Sequence, residues 1–317
     1  MKDTSLVTPV FLISLPRSGS TLLQRLLATH EAIATCAEPW IMLPLAYISR
    51  TNGIWTQYGH HQSVKALHCF ENHLDMGQTI HVEAIRAYGM TMYRAAARGC
   101  PWFLDKTPRY YHIIPFLAEV FPDARFVFLF RDPLSIIASM IDVVRGNSIR
   151  RVDHLAHDVD VAPRLMVRGI QHVGNRGIIL RYEDLVQTPE VHLERLFEFL
   201  GLPPEKEALR KFVDVSFQGL GDPLTESKKR NISGKLDKWR DIVDSPLRRL
   251  YVRRKLRFWN DRYLEIGGYP REALFRNLAS ARISRLRPEE LLYLAESSLA
   301  SGAKWMVYSF FAKERAL

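Results

Sequence analysis

The chain has 317 residues, 47% of them hydrophobic, which is enough for a large core in one domain or in a domain with an extension. Lys and Arg number 44 against 34 Asp and Glu, a net charge of +10 that favours acidic ligands or surfaces without choosing among nucleotide, sulfated glycan, nucleic acid and anionic lipid. The longest uncharged apolar run, near Trp40 to Ile48, is too short to span a bilayer. Cys36, Cys69 and Cys100 give neither a C-x-x-C pair nor an even disulfide framework, and no signal peptide is expected before the first strand. A cytoplasmic chain with reduced thiols is therefore expected.

The first readable element is the apolar run Phe11-Leu12-Ile13-Ser14-Leu15, stopped by Pro16. Arg17-Ser18-Gly19-Ser20-Thr21 follows, and then Leu22, Leu23, Leu26 and Leu27 at helical spacing. This reads as buried strand, tight loop and helix. The first N–H groups of such a helix lack intrahelical partners, and with the positive end of its dipole they form a seat for an anion. Gly19 lets the backbone come close, while Arg17, Ser18, Ser20 and Thr21 add donors. The loop is not a Walker A sequence: the residue before Ser20 is Gly19, and no Lys lies between Lys2 and Lys65. That disfavours magnesium–ATP but not a phosphate or sulfate. An ordinary strand–turn–helix is the alternative.

Ala34 to Pro39 reads as a short strand ending in a loop that carries Glu38. In a parallel sheet this carboxylate stands near the seat, because ligands collect at the carboxyl ends of the strands. Residues 40–100 hold aromatics, several histidines without metal-ligand spacing, and a helical stretch from Val82 to Ala97. They read as a helical insertion, the kind of element that walls a substrate pocket.

Trp102 to Pro108 reads as a second strand followed by a polar stop. Lys106 at its end is placed to neutralise an anion, or is merely solvated, and Pro108 suits the start of a helix over Arg109 to Phe121. Arg125 to Phe130 is the clearest buried strand; Asp132 is a good N-cap and Pro133 a good first residue for the helix that follows. That helix buries Leu134, Ile137, Met140, Ile141 and Val144. Arg131 and Ser139 either grip a second phosphate or are spent on Asp132 and on solvent.

Ile178 to Leu185 reads as a further strand. A helix then opens at Thr188-Pro189 and stops at Gly201. Alternating strands and helices argue for an α/β sandwich with a parallel sheet. Residues 219–234 form a basic loop able to close over an acidic ligand, and Lys238-Trp239 opens a helical region. Arg248, Arg249, Arg253, Arg254, Lys255 and Arg257, interleaved with Leu250, Tyr251, Val252 and Phe258, make a basic amphipathic helix. It suits a peripheral membrane contact near 247–258 or an acidic partner, or else simply has one solvated face. One more amphipathic helix is expected over Pro288 to Leu299. Nothing matches a nucleic-acid-binding motif, so no nucleic acid partner is expected.

Together these patches resemble the sulfotransferase superfamily, most closely its broad bacterial family similar to the tyrosylprotein sulfotransferases, which uses 3′-phosphoadenosine 5′-phosphosulfate (PAPS). Arg17-Ser18-Gly19-Ser20-Thr21-Leu22 matches the family's 5′-phosphosulfate loop, and Glu38 falls where its catalytic glutamate lies. Lys106-Thr107-Pro108 matches its catalytic lysine segment, and Arg131 through Ser139 its 3′-phosphate signature. Tyr182-Glu183-Asp184-Leu185 matches a segment whose Tyr contacts the nucleotide, and Lys238-Trp239 a pair after the closing loop. Where some relatives carry a further Arg after the signature Ser, this chain has Val143, with Arg145 close by. His112 and His30 are the fallback bases, since some sulfotransferases use histidine.

The resemblance implies a P-loop-type three-layer sandwich over residues 1–265, with a helical insertion at about 40–100 and a helical C-terminal extension at 266–317. It implies PAPS as the sulfuryl donor, adenosine 3′,5′-bisphosphate (PAP) as product, a hydroxyl acceptor that is a carbohydrate, lipid or small alcohol, and no metal. The competing classes are a P-loop kinase or NTPase and a non-catalytic basic anion-binding module.

Overall fold

The computed structural model describes residues 7–51, 54, 56–143, 156–217, 232 and 236–285. Val144, Arg145, nearly all of the basic loop at 219–234 and the expected helix at 288–299 lie outside the described residues. In chain order the helices are α1 (Ser20–Leu27), α2 (Met42–Tyr47), α3 (His60–Glu71), α4 (Gln78–Ala97), α5 (Ile114–Val120), α6 (Pro133–Val143), α7 (Ala156–Val173), α8 (Tyr182–Gln187), α9 (Pro189–Phe199), α10 (Ala208–Lys211), α11 (Trp239–Ile242), α12 (Pro246–Arg257), α13 (Asp261–Gly267) and α14 (Arg271–Ala279). The chain forms two compact units, Met1–Arg131 with Val161–Gly234 and Asp132–Asp160 with Lys235–Leu317.

The first unit is built on a five-stranded sheet of β1 (Thr8–Ser14), β2 (Ile33–Thr35), β3 (Trp102–Asp105), β4 (Arg125–Phe130) and β5 (Gly177–Arg181). The strand order is β2-β3-β1-β4-β5 and every pairing is parallel. All strands therefore end on one edge, with β1 central. Both faces of the sheet are covered, so the strands read as unbroken apolar runs rather than alternating ones. Val10 and Leu12 of β1 join Leu23, Leu26 and Leu27 of α1 and Leu193, Leu196 and Phe197 of α9 in one cluster. Phe11 faces the other way, its ring centroid 5.4–6.3 Å from those of Tyr93, Tyr110, Phe121 and Phe126. Each such buried side chain contributes about 1.5–3 kcal/mol. The parallel three-layer α/β arrangement expected from the sequence is thus present, and α2, α3 and α4 make up the helical insertion.

Two expected elements differ. No single helix runs from Arg109 to Phe121. Arg109 takes a left-handed φ of 69°, a 3-10 turn covers Tyr110–His112, and α5 begins afresh at Ile114. Pro115, which lacks an N–H, fits the start of that new helix and not the interior of a long one. The strand expected over 178–185 ends at Arg181, and Tyr182 already opens α8. Glu183 and Asp184 lie in that first turn, where the helix dipole favours acidic side chains. The helix expected from Val82 starts earlier, at Gln78, and the short strand expected from Ala34 covers Ile33–Thr35, whereas the caps at Asp132 and Gly201 fall as expected. Asp132 accepts the Leu134 N–H at 2.8 Å at the head of α6. Gly201, at a φ of 68°, ends α9 while the Leu202 N–H reaches the Phe197 carbonyl at 2.8 Å.

In the second unit α11 and α12 pack on α6. The basic helix α12 does not present all of its charges to solvent. Arg248 is buried, donates to the Ile242 carbonyl at 2.9 Å and lies 3.7 Å from the Asp244 carboxylate. Lys255 pairs with Asp160 at 2.9 Å, and Arg249 donates to the Ala281 carbonyl. A guanidinium at the depth of Arg248 is tolerable only with such partners. What faces outward is Leu250, Arg253, Arg254, Arg257 and Phe258.

Candidate active site

The loop after β1 is held in shape mainly by backbone. Arg17 and Gly19 both take left-handed conformations, with φ of 68° and 91°. The Ser18 N–H closes on the Leu15 carbonyl at 3.2 Å, and the Leu22 and Leu23 N–H groups both reach the Gly19 carbonyl, at 3.0 and 3.2 Å. α1 has no acidic residue in its first turn, and its opening N–H groups lie beyond the reach of the intrahelical ladder. Ser18 is fully buried, and its Oγ has no hydrogen-bond partner among the described residues. Buried hydroxyls are normally satisfied, so this one is a donor left over within the loop.

Two more expected residues meet this loop. The Tyr182 ring lies over Gly19 so closely that a Cβ there would fall 2.4 Å from a ring carbon. Arg131 donates from Nη1 to the Arg17 carbonyl at 2.8 Å and stacks its guanidinium 4.2 Å from the Tyr182 ring centroid. Arg17, Ser18, Gly19, Arg131 and Tyr182, drawn from three strand ends, therefore form one cluster. Ser20, Thr21 and Leu22 open α1 beside it. The donor set suits a phosphate or sulfate ester: backbone N–H groups, hydroxyls and guanidinium, with no acidic group among them.

The second cluster stands at the ends of β2 and β3. Lys106 follows β3 directly, and its Nζ lies 2.7 Å from Oε1 of Glu38, both side chains being largely shielded from solvent. The Trp40 indole N–H donates to the other oxygen of Glu38 at 3.2 Å. Gln24 of α1 donates to the Thr35 hydroxyl at 2.8 Å and to the Cys36 carbonyl at 2.7 Å, tying the anion-seat helix to the segment that leads to Glu38.

Beneath the pair sits Asp105, at 0% exposure. Its carboxylate accepts hydroxyls from Thr107 at 2.7 Å, Tyr93 at 2.8 Å and Tyr110 at 3.0 Å. Burial pushes its pKa up to about 6, against the opposing pull of those three hydroxyls and of the Lys106 charge. Burial, and then the Asp105 charge, push the Tyr93 and Tyr110 phenols well above their ordinary range, so both remain donors. Burial and then Asp105 also raise the Cys36 thiol.

Ser139 and Lys238 belong to the second unit. Ser139 is half-buried on α6, and Lys238, ahead of α11, pairs with Asp142 at 2.9 Å. Of the two fallback bases, His30 has both ring nitrogens engaged: Nε2 lies 3.2 Å from the Pro203 carbonyl and Nδ1 accepts the Ala32 N–H at 3.1 Å. Sequence reasoning missed Trp40, Asp105 and Tyr110. The only cue was an acid at a strand end next to the lysine; the convergence of three hydroxyls on it leaves no pattern in the sequence.

The model of the sulfotransferase family matches residues 9–206. The nodulation protein NoeE of Sinorhizobium fredii is 31% identical over 217 residues, covering 61% of this chain and 50% of that protein. Protein-tyrosine sulfotransferase A of Caenorhabditis elegans is 25% identical over 204 residues, covering 63% of this chain and 51% of the relative. The chain thus spans about half the length of the curated relatives it matches. Among solved structures, the sulfotransferase domain from the Synechococcus PCC 7002 olefin synthase superposes with a TM-score of 0.52 at 24% identity, covering 75% of this chain and 89% of that domain, a likeness of fold.

Proposed function

The chain belongs to the sulfotransferase family, and from that premise we propose that it moves a sulfuryl group from PAPS to a hydroxyl acceptor by in-line displacement. The observation that carries the reading is the Glu38–Lys106 pair on the same sheet edge as an anion seat whose buried Ser18 hydroxyl has no partner among the described residues. The 5′-phosphosulfate is assigned to Arg17, Ser18, Gly19, Ser20, Thr21 and Leu22, and the 3′-phosphate to Arg131. Ser139, Tyr182 and Lys238 keep the nucleotide-binding roles that the family motifs give them.

When bound, PAPS supplies an electrophilic sulfur and a bisphosphate leaving group. Glu38 accepts the proton of the attacking hydroxyl, and Lys106 neutralises the charge growing on the bridging oxygen. The two roles are coupled through the ion pair. A Glu38 that has taken the proton no longer holds Lys106 by charge, so Nζ becomes available as the leaving oxygen turns negative. The loop N–H groups add fixed dipoles at no cost in reorganisation.

The acceptor is a carbohydrate, a lipid or a small-molecule alcohol. Among the described residues no helix is long and apolar enough to cross a membrane. The outward face of α12, with Arg253, Arg254, Arg257, Leu250 and Phe258, supports a peripheral contact with an anionic surface. The testing experiment incubates the protein with radiolabelled PAPS and an extract of its native host. Label is expected in a hydroxyl-bearing fraction with wild type and not with Glu38→Gln; equal labelling by the two removes Glu38 from its role.

A further inference from the structure

We propose that Trp40 is a positioning residue for the Glu38 carboxylate, held in place by a buried hydrogen-bond net centred on Asp105. The inference rests on the sulfuryl-transfer reading for its kinetic consequence but not for its geometry.

Trp40 has a φ of 55°, left-handed backbone that a bulky residue rarely adopts. Such a conformation persists only where its surroundings hold it, and it concentrates at functional sites. Here the surroundings are specific. The Trp40 N–H donates to the Thr107 hydroxyl at 3.2 Å, and that hydroxyl donates to Oδ1 of Asp105 at 2.7 Å. Two residues on, the Met42 N–H donates to the Tyr110 hydroxyl at 3.2 Å, which donates to Oδ2 of Asp105 at 3.0 Å. Tyr93 donates to the same oxygen at 2.8 Å. Two separate amides of one turn are thus anchored, each through a single hydroxyl, on one carboxylate that solvent does not reach. Asp105 also immediately precedes Lys106, so the group that fixes the turn after Glu38 fixes the start of the lysine segment as well.

The consequence falls on the base. Glu38 accepts from the Trp40 indole on Oε2 and from Lys106 on Oε1. The indole is rigid, and its backbone is pinned at the amide. The lysine stands on a flexible stem and has another task when negative charge develops. The carboxylate therefore keeps its orientation through Oε2 while Oε1 becomes free to work. In the balanced step the acceptor oxygen bonds to sulfur, the bond from sulfur to the bisphosphate oxygen breaks, and the acceptor proton passes to Oε1 of Glu38. A fully buried carboxyl is costly to keep ionised, its pKa already pushed up to about 6 by burial, and apolar side chains of similar size would fill the same space. Its position beside Lys106 fits a role in placement.

The test uses full-length protein with 15N-labelled tryptophan. Loss of one indole resonance in Trp40→Phe assigns Trp40. That resonance is expected to shift in Glu38→Gln while the remaining indole signals stay in place. It is expected to shift again in Thr107→Val and to return in Thr107→Ser, which restores the hydroxyl. In turnover, Trp40→Phe is expected to lower kcat by roughly tenfold to a hundredfold, the loss of one hydrogen bond to a charged group, with KM for PAPS and affinity for PAP unchanged. An indole signal that ignores Glu38→Gln overturns the proposal, as does a Trp40→Phe kcat within twofold of wild type or a loss confined to donor KM. The resonance is read without any donor, so it reports on the Trp40–Glu38 contact even where the PAPS reading fails; if Trp40→Phe does not fold, a single indole signal that moves in both Glu38→Gln and Thr107→Val and returns in Thr107→Ser supports the proposal, and the absence of such a signal overturns it.

Discussion

The loop after β1 and the turn after β2 stand on one sheet edge and are built in opposite ways. The β1 loop is shaped by backbone: left-handed Arg17 and Gly19, a short closure from Ser18 to Leu15, and a buried Ser18 hydroxyl with no partner among the described residues. The turn after β2 is shaped by side chains, with both oxygens of Glu38 engaged and the Trp40 and Met42 amides anchored through hydroxyls to Asp105. The difference teaches a division of labour. Under the proposed function, the seat keeps unmet donors until its anion arrives, whereas the proton-transfer pair has its geometry fixed in advance, so that no ordering remains at the moment of reaction.

The sharpest way to separate the two regions is Glu38→Gln. Turnover should fall by about 10²- to 10⁴-fold, the usual worth of a general base, while PAP affinity measured by calorimetry stays within about twofold. Parallel losses of both would mean that the regions are not distinct.

Asp105→Asn probes the wired side through stability. The folded-state pKa of Asp105 is raised to about 6 from an ordinary 3.8, so between those values the folded state binds the proton more tightly than the unfolded one. Its contribution is therefore most favourable below about pH 4, declines as pH rises to 6, and is flat above that. The stability of wild type relative to Asp105→Asn should fall by on the order of 2–3 kcal/mol across that window. Urea unfolding of both proteins at pH 4, 5, 6 and 7 measures it; a difference independent of pH contradicts the burial argument.

On the seat side, Gly19→Ala must place a Cβ 2.4 Å from the Tyr182 ring at a φ of 91°. The strain is about 1–3 kcal/mol, and PAP affinity should drop by roughly ten- to a hundredfold. Ser18→Ala should have the smallest effect and a telling sign. Without ligand it removes a buried, unsatisfied hydroxyl, so Tm should rise by about 1–3 °C, while PAP affinity falls by about tenfold. A fall in both would show that the hydroxyl has a structural partner.

The same contrast explains what the sequence made legible. The seat is local: Arg17 to Thr21 lie between a continuous apolar run and a helical stripe, and backbone rules carry the reading from there. The strands were plain because both sheet faces are covered, and the caps at Asp132 and Gly201 because their geometry is nearly self-contained. Arg109 and Tyr182 were misread because apolar flanks suggested continuity. The breaks come instead from a left-handed residue before Pro115 and from acids favouring a helix start. Trp40 and Asp105 stayed hidden because their roles depend on atoms meeting across long stretches of chain, as where Trp40 meets Thr107. The inward charges of α12 were hidden likewise, since only the fold supplies Asp160 to Lys255.

The most direct measurement is calorimetric titration of PAP into the wild-type protein in EDTA, with 5′-AMP as the control. One-to-one binding without divalent ions is expected, with at least about tenfold weaker binding of 5′-AMP, which offers nothing to the guanidinium of Arg131. No heat with PAP, or equal affinity for 5′-AMP, would contradict a donor site built for two separate anionic groups.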